Sequence, residues 1–218
     1  MTWDELWPLL QEGAGQTLQM VLLATLFTVL LGLPLGVALV VFDKQGLRPL
    51  PVVQSVLGFV VNVGRSLPFI VLMIAIIPFT RLVVGTTIGT AAVVVPLTVG
   101  AVPFFARLVE TALREVGSDV VQAAQAMGAS RTAIVAKVLL PEARAGIVSA
   151  ITVTVIALIG YSAMAGTVGG GGLGDLAIRY GYQRFETLVM IVTVVLLVVL
   201  VQLIQSLGDR VARRLSHR

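Results

Sequence analysis

Few residues of this 218-residue sequence could carry covalent or metal chemistry. It has no Cys, and its single His, His217, stands in the terminal tail, so the sequence predicts neither a thiol site nor a histidine-based metal or catalytic site. Its two lysines, Lys44 and Lys137, follow Asp and Ala, whereas the lysine of a phosphate-binding P-loop follows glycine. We therefore expect no catalytic residue, no metal, no cofactor and no nucleotide site: the chain is predicted not to be an enzyme.

Arg65 and a glycine run are the other candidates. Arg65 falls within a predicted membrane span, where a charge is costly, so it is either functional or close enough to an interface to extend to the headgroups. The run from Gly169 to Gly172 is either a flexible external turn or closely packed backbone at an outer gate. The predicted spans contain no Asp or Glu, which disfavours ion coupling.

The elements that position these residues are membrane helices. With 57% apolar residues, 12% charged residues and a mean hydropathy of +1.02, the chain is too apolar to cover one core with polar surface. Asp4 and Glu5 stand where a signal peptide would carry Lys or Arg, so we expect the first apolar stretch to remain in the mature protein. The sequence predicts an all-α fold with five transmembrane helices in one membrane domain, 1–218, with spans at about Thr17–Val41, Val52–Ile77, Ile88–Ala106, Gly146–Ala165 and Thr187–Leu207.

Basic residues set the predicted orientation. Eleven of the fifteen Lys and Arg residues lie in the first loop, the third loop and the tail, at the ends of apolar runs rather than in a patch with aromatics. This distribution indicates a membrane protein and no nucleic-acid partner, with the N-terminus outside and the C-terminus in the cytoplasm. The third loop, about 107–145, is then cytoplasmic. Its share of the eleven is Arg107, Arg114, Arg131, Lys137 and Arg144.

Four prolines, Pro34, Pro68, Pro96 and Pro103, are expected to interrupt the spans, because each removes a backbone donor and clashes with the preceding turn. Such breaks are tolerated where neighbouring helices or a water-lined path satisfy the backbone, but proline is also commoner in membrane helices generally. Proline alone therefore assigns no pathway.

The cytoplasmic loop predicts two short helices. Ser118 suits an N-cap, Asp119 the first turn and Gly128 the left-handed residue that ends a helix, giving a helix of roughly nine residues and about 13 Å. Ser130 suits the cap of a second short helix that runs to Pro141. The first helix is slim, because Ala123, Ala124 and Ala126 are small. It is read either as an element that docks into a groove of another protein or as a connector on the membrane surface.

The spacing within this loop resembles that of a known family. Gln122-Ala123-Ala124, then Gly128, then Val138-Leu139-Leu140-Pro141 is similar to the "EAA" signature of permease subunits of bacterial ABC importers. The resemblance implies a type I importer fold and a coupling helix at Gln122 to Gly128 that docks on a cytoplasmic ATPase. The implied coupling residues are Gln122, Ala123, Ala124, Gly128, Val138, Leu140 and Pro141. Gln122 replaces the family's Glu and keeps its size and hydrogen-bonding capacity, so docking is expected to survive.

Four further segments resemble the methionine branch of that family: Arg65–Phe69, Ile77–Arg81, Val95–Gly100 and Gly160–Met164 with the glycine run. The resemblance implies a homodimeric, multi-pass inner-membrane permease that imports L- or D-methionine. It also implies two copies of a separate ATPase, which supply ATP hydrolysis, and an external methionine-binding lipoprotein.

A thioether amino acid needs a narrow, mostly apolar passage with a few hydrogen-bonding groups and a soft contact surface. Tyr161, Ser162 and Met164 supply those types near the outer end of the fourth span and, with Arg65, are the candidate substrate pathway. Tyr and Met at this depth are also common as packing or as an interface anchor. An importer for another small solute and a stand-alone secondary carrier remain the alternatives.

Overall fold

A computed structural model describes residues 3–216, so His217 and Arg218 lie outside the described residues. Within that range every regular element is a helix, which confirms the all-α prediction. In chain order the α-helices are α1 Trp3–Val41, α2 Pro51–Ser66, α3 Phe69–Ala75, α4 Ile77–Val84, α5 Thr90–Arg114, α6 Ser118–Ala126, α7 Arg131–Ile134, α8 Leu140–Glu142, α9 Arg144–Ala165, α10 Gly172–Leu176 and α11 Thr187–Leu215. π-helical turns at Val135–Leu139 and Ala177–Tyr182, and a 3₁₀ turn at Gly166–Val168, join some of them.

Four helices of the described chain, α1, α5, α9 and α11, are long and apolar enough to cross a membrane. The predicted second span differs from these, because α2 and α3 meet at an angle of 104°. The break falls at Ser66 to Pro68, where proline lacks a donor and disfavours helix in the residue before it. Counting that bent pair as one span gives the predicted five.

The other three prolines do not break their helices, contrary to prediction. Pro34 lies within the continuous α1, and Pro96 and Pro103 lie within α5. Pro103 packs closely on α2, where a Cβ added at Gly64 would lie 2.8 Å from the Pro103 ring. Neighbouring side chains therefore fill the space beside at least one of these prolines.

Several helix ends extend beyond the predicted spans. α1 begins at Trp3 rather than near Thr17, and α11 continues to Leu215 rather than Leu207. α5 runs to Arg114, so Arg107 and Arg114 lie on a helix and not in a loop. Backbone hydrogen bonding continues a helix into polar sequence after its apolar run has ended, and hydropathy does not register that continuation.

The contacts divide the chain into two compact units. The described residues of unit 1 are 3–27, Leu67–Ala101 and Thr154–Gln205. Its larger buried cluster includes Met20, Leu97 and Leu158, and a second cluster packs Leu6 and Leu10 against Leu173. The glycine run belongs to this unit.

The described residues of unit 2 are Thr28–Ser66, Val102–Val153 and 206–216. Its buried cluster includes Phe105, Val109 and Leu113 of α5 together with Ala124 of α6 and Leu139. The short helices of the predicted cytoplasmic loop are thus packed on the end of α5 by apolar side chains, since burial of such surface is the main favourable term.

Candidate functional site

The predicted coupling helix is present as α6, nine residues from Ser118 to Ala126. Asp119 lies in its first turn, as predicted. The predicted N-cap is wrong: Gly117 occupies that position with an extended ψ of 132°, Ser118 is already helical, and glycine has no side chain that could accept a hydrogen bond. Ser118 therefore leaves the first donors of α6 without the side-chain partner that its type predicted.

Gly128 ends α6 in the left-handed conformation, with a φ of 76°. The amide of Gly128 donates to the carbonyl of Gln125 at 2.9 Å, and the amide of Ala129 donates to that of Ala124 at 3.1 Å. This is the arrangement of a glycine-terminated helix, where a side chain at the left-handed position is strained.

One face of α6 is packed and the other is exposed. Ala124 is 5% exposed and belongs to the unit 2 cluster, whereas Gln122, Ala123 and Gly128 are exposed. Met127, next to Gly128, is 81% exposed. Besides small side chains, the exposed surface of α6 and the residue after it carries two amides, one carboxylate and two apolar side chains: Gln122, Gln125, Asp119, Val120 and Met127.

The second half of the predicted motif forms the next helical segment. The Ser130 hydroxyl accepts from the amide of Ala133 at 3.3 Å, which confirms Ser130 as an N-cap. Val138 and Leu140 are half-buried against the unit 2 cluster, while Pro141 is exposed at the start of α8. Val138 and Leu140 thus anchor the loop, whereas Pro141 does not end the helical segment, which continues to Glu142.

Sequence reasoning missed a group of charged residues beside α6. Glu110 of α5 is 4% exposed and accepts from Arg107 at 2.6 Å and from Arg114 at 3.0 and 2.9 Å. Arg114 also pairs with Asp43, in the turn after α1, at 2.6 Å. Residues 107, 110 and 114 recur at helical spacing, so a helix drawn to Arg114 would have revealed this arginine–carboxylate cluster. Glu110 also shows that one long apolar helix carries a carboxylate, although it is neutralised by two arginines.

The turn after α1 and α6 line one cavity of about 380 Å³. Its walls include Asp43, Gln45, Arg114, Gln122 and Gln125. The hydrogen bond from Arg114 holds the pKa of the Asp43 carboxyl below its ordinary value, despite some opposing burial. Asp43 is therefore an anion at neutral pH and a firm partner for Arg114.

The four candidate pathway residues fall in different surroundings. The Tyr161 ring stacks on that of Phe69, with centroids 4.7 Å apart. Ser162 is 2% exposed and its hydroxyl donates to the carbonyl of Ile159 at 2.8 Å, whereas Met164 is 40% exposed. These residues lie together on the last turns of α9 in unit 1, while Arg65 is an exposed residue of unit 2.

The glycine run is tightly packed rather than flexible, which favours the second of its two interpretations. Gly170 and Gly172 are buried, and Gly171 has a φ of 78°. The Gln16 side-chain oxygen accepts from the amide of Gly172 at 2.7 Å, and the Thr17 hydroxyl accepts from the amide of Leu173 at 2.9 Å. Residues in the N-terminal half of α1 therefore hold the start of α10.

Comparison with known proteins gives a consistent result. The family model described as "Binding-protein-dependent transport system inner membrane component" matches residues 29–217. A Vibrio cholerae protein named as a probable D-methionine transport system permease is 57% identical over 210 residues, covering 96% of this chain and 93% of the relative. The D-methionine transport system permease of Escherichia coli K12 is 48% identical over 158 residues, which are 72% of this chain and 73% of the relative.

Solved structures agree with the fold. A chain of the MetNI methionine ABC transporter, solved in inward-facing conformations, matches with a TM-score of 0.97 and 47% identity over the whole of both chains. A chain of an amino acid ABC transporter solved with histidines matches with a TM-score of 0.80 at 20% identity, covering 97% of this chain and 96% of that one. The second match bears on the fold alone.

Proposed function

Because this chain belongs to the family of binding-protein-dependent transport system inner membrane components, we propose that it is the membrane-spanning subunit of an ATP-driven importer of methionine, in the L form, the D form or both. Identity to a named D-methionine permease across nearly the whole chain is the observation that carries this proposal. The resemblance read from the sequence points to the same family. The proposed permease is one membrane domain over 1–218, and the family match supports this because it runs without interruption from residue 29 to residue 217.

We propose four partners: two copies of a cytoplasmic ATPase, a second copy of this chain and an external methionine-binding lipoprotein. The transporter of the matching solved structure is an ABC transporter, a class that works with ATPase subunits. The exposed, small-residue face of α6 is suited to enter a groove of such a subunit. In this proposal Gln122, Ala123 and Gly128 meet the ATPase, while Ala124 packs α6 on the unit 2 cluster.

The same proposal gives the second part of the loop a supporting role. Val138 and Leu140 pack on the unit 2 cluster, so these two hold α6 against α5, and Pro141 is suited to start α8 beside them. Movement of α6 would then pass to the membrane helices rather than being absorbed by the loop.

The proposed substrate pathway retains Arg65, Tyr161, Ser162 and Met164 with different roles. Met164, exposed and polarizable, is suited to contact a thioether. Tyr161 and Ser162 are suited to hold the end of α9 in place, because the first is stacked on Phe69 and the second is bonded within its own helix. Arg65 is suited to bind a carboxylate or a headgroup.

Uptake of labelled methionine tests the function directly. Bacteria lacking their own methionine permease receive this chain with its ATPase and binding lipoprotein, and uptake should require both the ATPase and Gly128. We expect Gly128→Asp to be inserted but inactive, because it adds a Cβ at a φ of 76° and a charge on the docking face. Normal uptake by that variant would overturn the coupling assignment.

Gly128→Asn is the matched control, since it adds the same Cβ without the charge and Asn tolerates the left-handed region. We expect it to retain a measurable part of the uptake. A stable complex with the ATPase but no methionine uptake by the unchanged chain would keep the importer class and reject the substrate.

The proposed orientation has an independent test. The sequence has no Cys, so single Cys probes can be placed at Gln45, in the first loop, which is proposed to face the cytoplasm, and at the exposed Thr87, which is proposed to face outside. Thr87 is a better probe than Gly171, where a Cβ would lie 2.6 Å from the Gln16 side-chain oxygen. An impermeant thiol reagent should label Thr87→Cys from outside and leave Gln45→Cys unlabelled; the reverse pattern would contradict the orientation.

A further inference from the structure

Glu110 is a buried carboxylate placed between two arginines. Its side chain is 5% exposed, and one of its oxygens accepts from Arg107 while the other accepts twice from Arg114. A carboxylate removed from water requires such partners to remain ionised. Glu110 therefore fixes the positions of both guanidinium groups on the last two turns of α5.

Each arginine carries this constraint to another part of unit 2. Arg107 donates to the Asn62 side-chain oxygen of α2 at 2.7 Å. The Nη2 group of Arg114, which also donates to Glu110, pairs with Asp43, in the turn after α1, at 2.6 Å. The planar, multi-donor geometry of arginine allows it to hold two carboxylates at once. One carboxylate thus links α5 to α2 and to the end of α1.

The same cluster adjoins α6. Arg114 is the last residue of α5, and only Glu115, Val116 and Gly117 separate it from α6. Asp43 and Arg114 line the 380 Å³ cavity, as do Gln122 and Gln125 of α6. The cavity therefore has residues of the charged cluster in its lining together with residues of the helix that is proposed to meet the ATPase.

We propose that Glu110 is a positioning residue for coupling: through Arg107 and Arg114 it joins displacement of α6 to α1 and α2 as well as to α5. This inference rests on the proposed function. If movement of α6 displaced only α5, it would bend that one helix. Because the cluster bonds α5 to the turn after α1 and to α2, these two elements move when Arg114 moves. Energetic coupling of this kind requires an element that both sites act on, and the cluster supplies it.

The first experiment measures position without reference to any substrate. Spin labels at Gln45→Cys and Gln125→Cys, which both line the cavity, report the distance between the α1 turn and α6 by dipolar broadening in the assembled complex. We expect a short distance between the labels in the parent and a longer one in Glu110→Gln. This substitution keeps the shape of the side chain but removes its charge. An unchanged, narrow separation in Glu110→Gln would overturn the proposal.

Glu115→Gln is the matched control, because Glu115 lies one residue beyond α5 and is exposed. It makes the same chemical change five residues further along the chain. We expect it to leave the separation as narrow as in the parent; widening in both variants would show a non-specific charge effect and contradict the role of Glu110.

The second experiment measures uptake per ATP hydrolysed in the reconstituted complex. In Glu110→Gln we expect uptake per ATP to fall by about tenfold, within the range of coupling between two sites, while complex assembly and ATP hydrolysis continue. A purely structural role would lower hydrolysis and uptake in proportion, and that result would also overturn the proposal. Failure of the proposed function is distinguishable, because the unchanged chain would then take up no methionine. The distance between the spin labels would still show whether Glu110 positions the α1 turn relative to α6.

Discussion

Unit 2 and unit 1 hold their candidate segments, α6 and the glycine run, by opposite means. In unit 2 the elements beside α6, which are the end of α5 and the turn after α1, are joined by ion pairs: Glu110 with Arg107 and Arg114, and Arg114 with Asp43. In unit 1 the glycine run is fixed by neutral contacts, in which Gln16 and Thr17 accept from backbone amides and neighbouring backbone approaches where glycines have no Cβ.

The two arrangements fail for different reasons. Ion pairs depend on charge and on pH, so neutral substitutions of the same shape weaken them. Close backbone packing depends on volume, so a single methyl group disrupts it whatever the pH. A segment proposed to transmit force thus has polar partners that can rearrange, whereas the glycine run is confined by shape.

The largest expected effect comes from adding one methyl group at Gly174 of α10, just after the glycine run, where the packing is also neutral. A Cβ at Gly174 would lie 2.4 Å from both Cα and the carbonyl oxygen of Ala163, and backbone cannot move aside as a flexible side chain can. We expect Gly174→Ala to destabilise the protein by about 3 kcal/mol, the upper range for overpacking. The midpoint of thermal unfolding in detergent measures this.

Gly15→Ala is the control for that substitution. A Cβ at Gly15 meets no atom of the described chain within 4 Å, and Gly15 lies inside α1. Alanine should be neutral there or stabilise by up to about 1 kcal/mol. Equal unfolding midpoints for Gly174→Ala and Gly15→Ala would remove volume as the basis of the neutral arrangement.

The sequence predicts the end of α6 better than it predicts the packing of the glycine run. The position of Gly128 after a short helical pattern indicates a left-handed helix end, because this is a local feature that favours glycine. The bonds from Gln16 and Thr17 join residues 156 positions apart, and no local pattern encodes them. The glycine run therefore remained ambiguous until the tertiary contacts were known.

The arginine–carboxylate cluster was missed for a different reason. Its spacing on α5 is local and readable, but the predicted span ended at Ala106, before the first of its charges. Hydropathy marks the part of a helix that can lie in lipid and is silent on how far the helix continues. The break at Pro68 and the continuity at Pro34 show the same limit: proline weakens a helix everywhere, but the neighbouring contacts decide where it breaks.

An intermediate effect is expected from a neutral contact that involves no steric change. Thr17 is 1% exposed, and Thr17→Val keeps its shape while leaving the buried amide of Leu173 without its acceptor. We expect destabilisation of about 1–2 kcal/mol, the cost of an unpaired buried donor, measured by thermal unfolding. Thr193→Val is the control, since the Thr193 hydroxyl is also buried but donates only to the Val189 carbonyl of its own helix; a loss as large as that of Thr17→Val would contradict the special role of the contact with Leu173.

The smallest expected effect separates the two arrangements by pH. Arg114 lowers the pKa of Asp43 below its ordinary value, so ionised Asp43 contributes stability that is fully present above its unfolded pKa and is lost as the pH falls through its folded pKa. Lys44 adds to this lowering. At pH 7 we expect Asp43→Asn to be less stable than the parent by about 0.5–1 kcal/mol, as for a partly exposed ion pair.

That difference should shrink as the pH is lowered from about 5 towards 2, because the parent then loses the charge that the variant lacks at every pH. Thermal unfolding of both proteins across this range gives the measurement. Thr17→Val should instead keep a constant deficit relative to the parent, since neither a hydroxyl nor a backbone amide titrates there. If the loss of stability in Asp43→Asn did not change with pH, packing and not charge would hold the α1 turn. The charged contacts of unit 2 would then not differ in kind from the neutral contacts of unit 1 at Asp43.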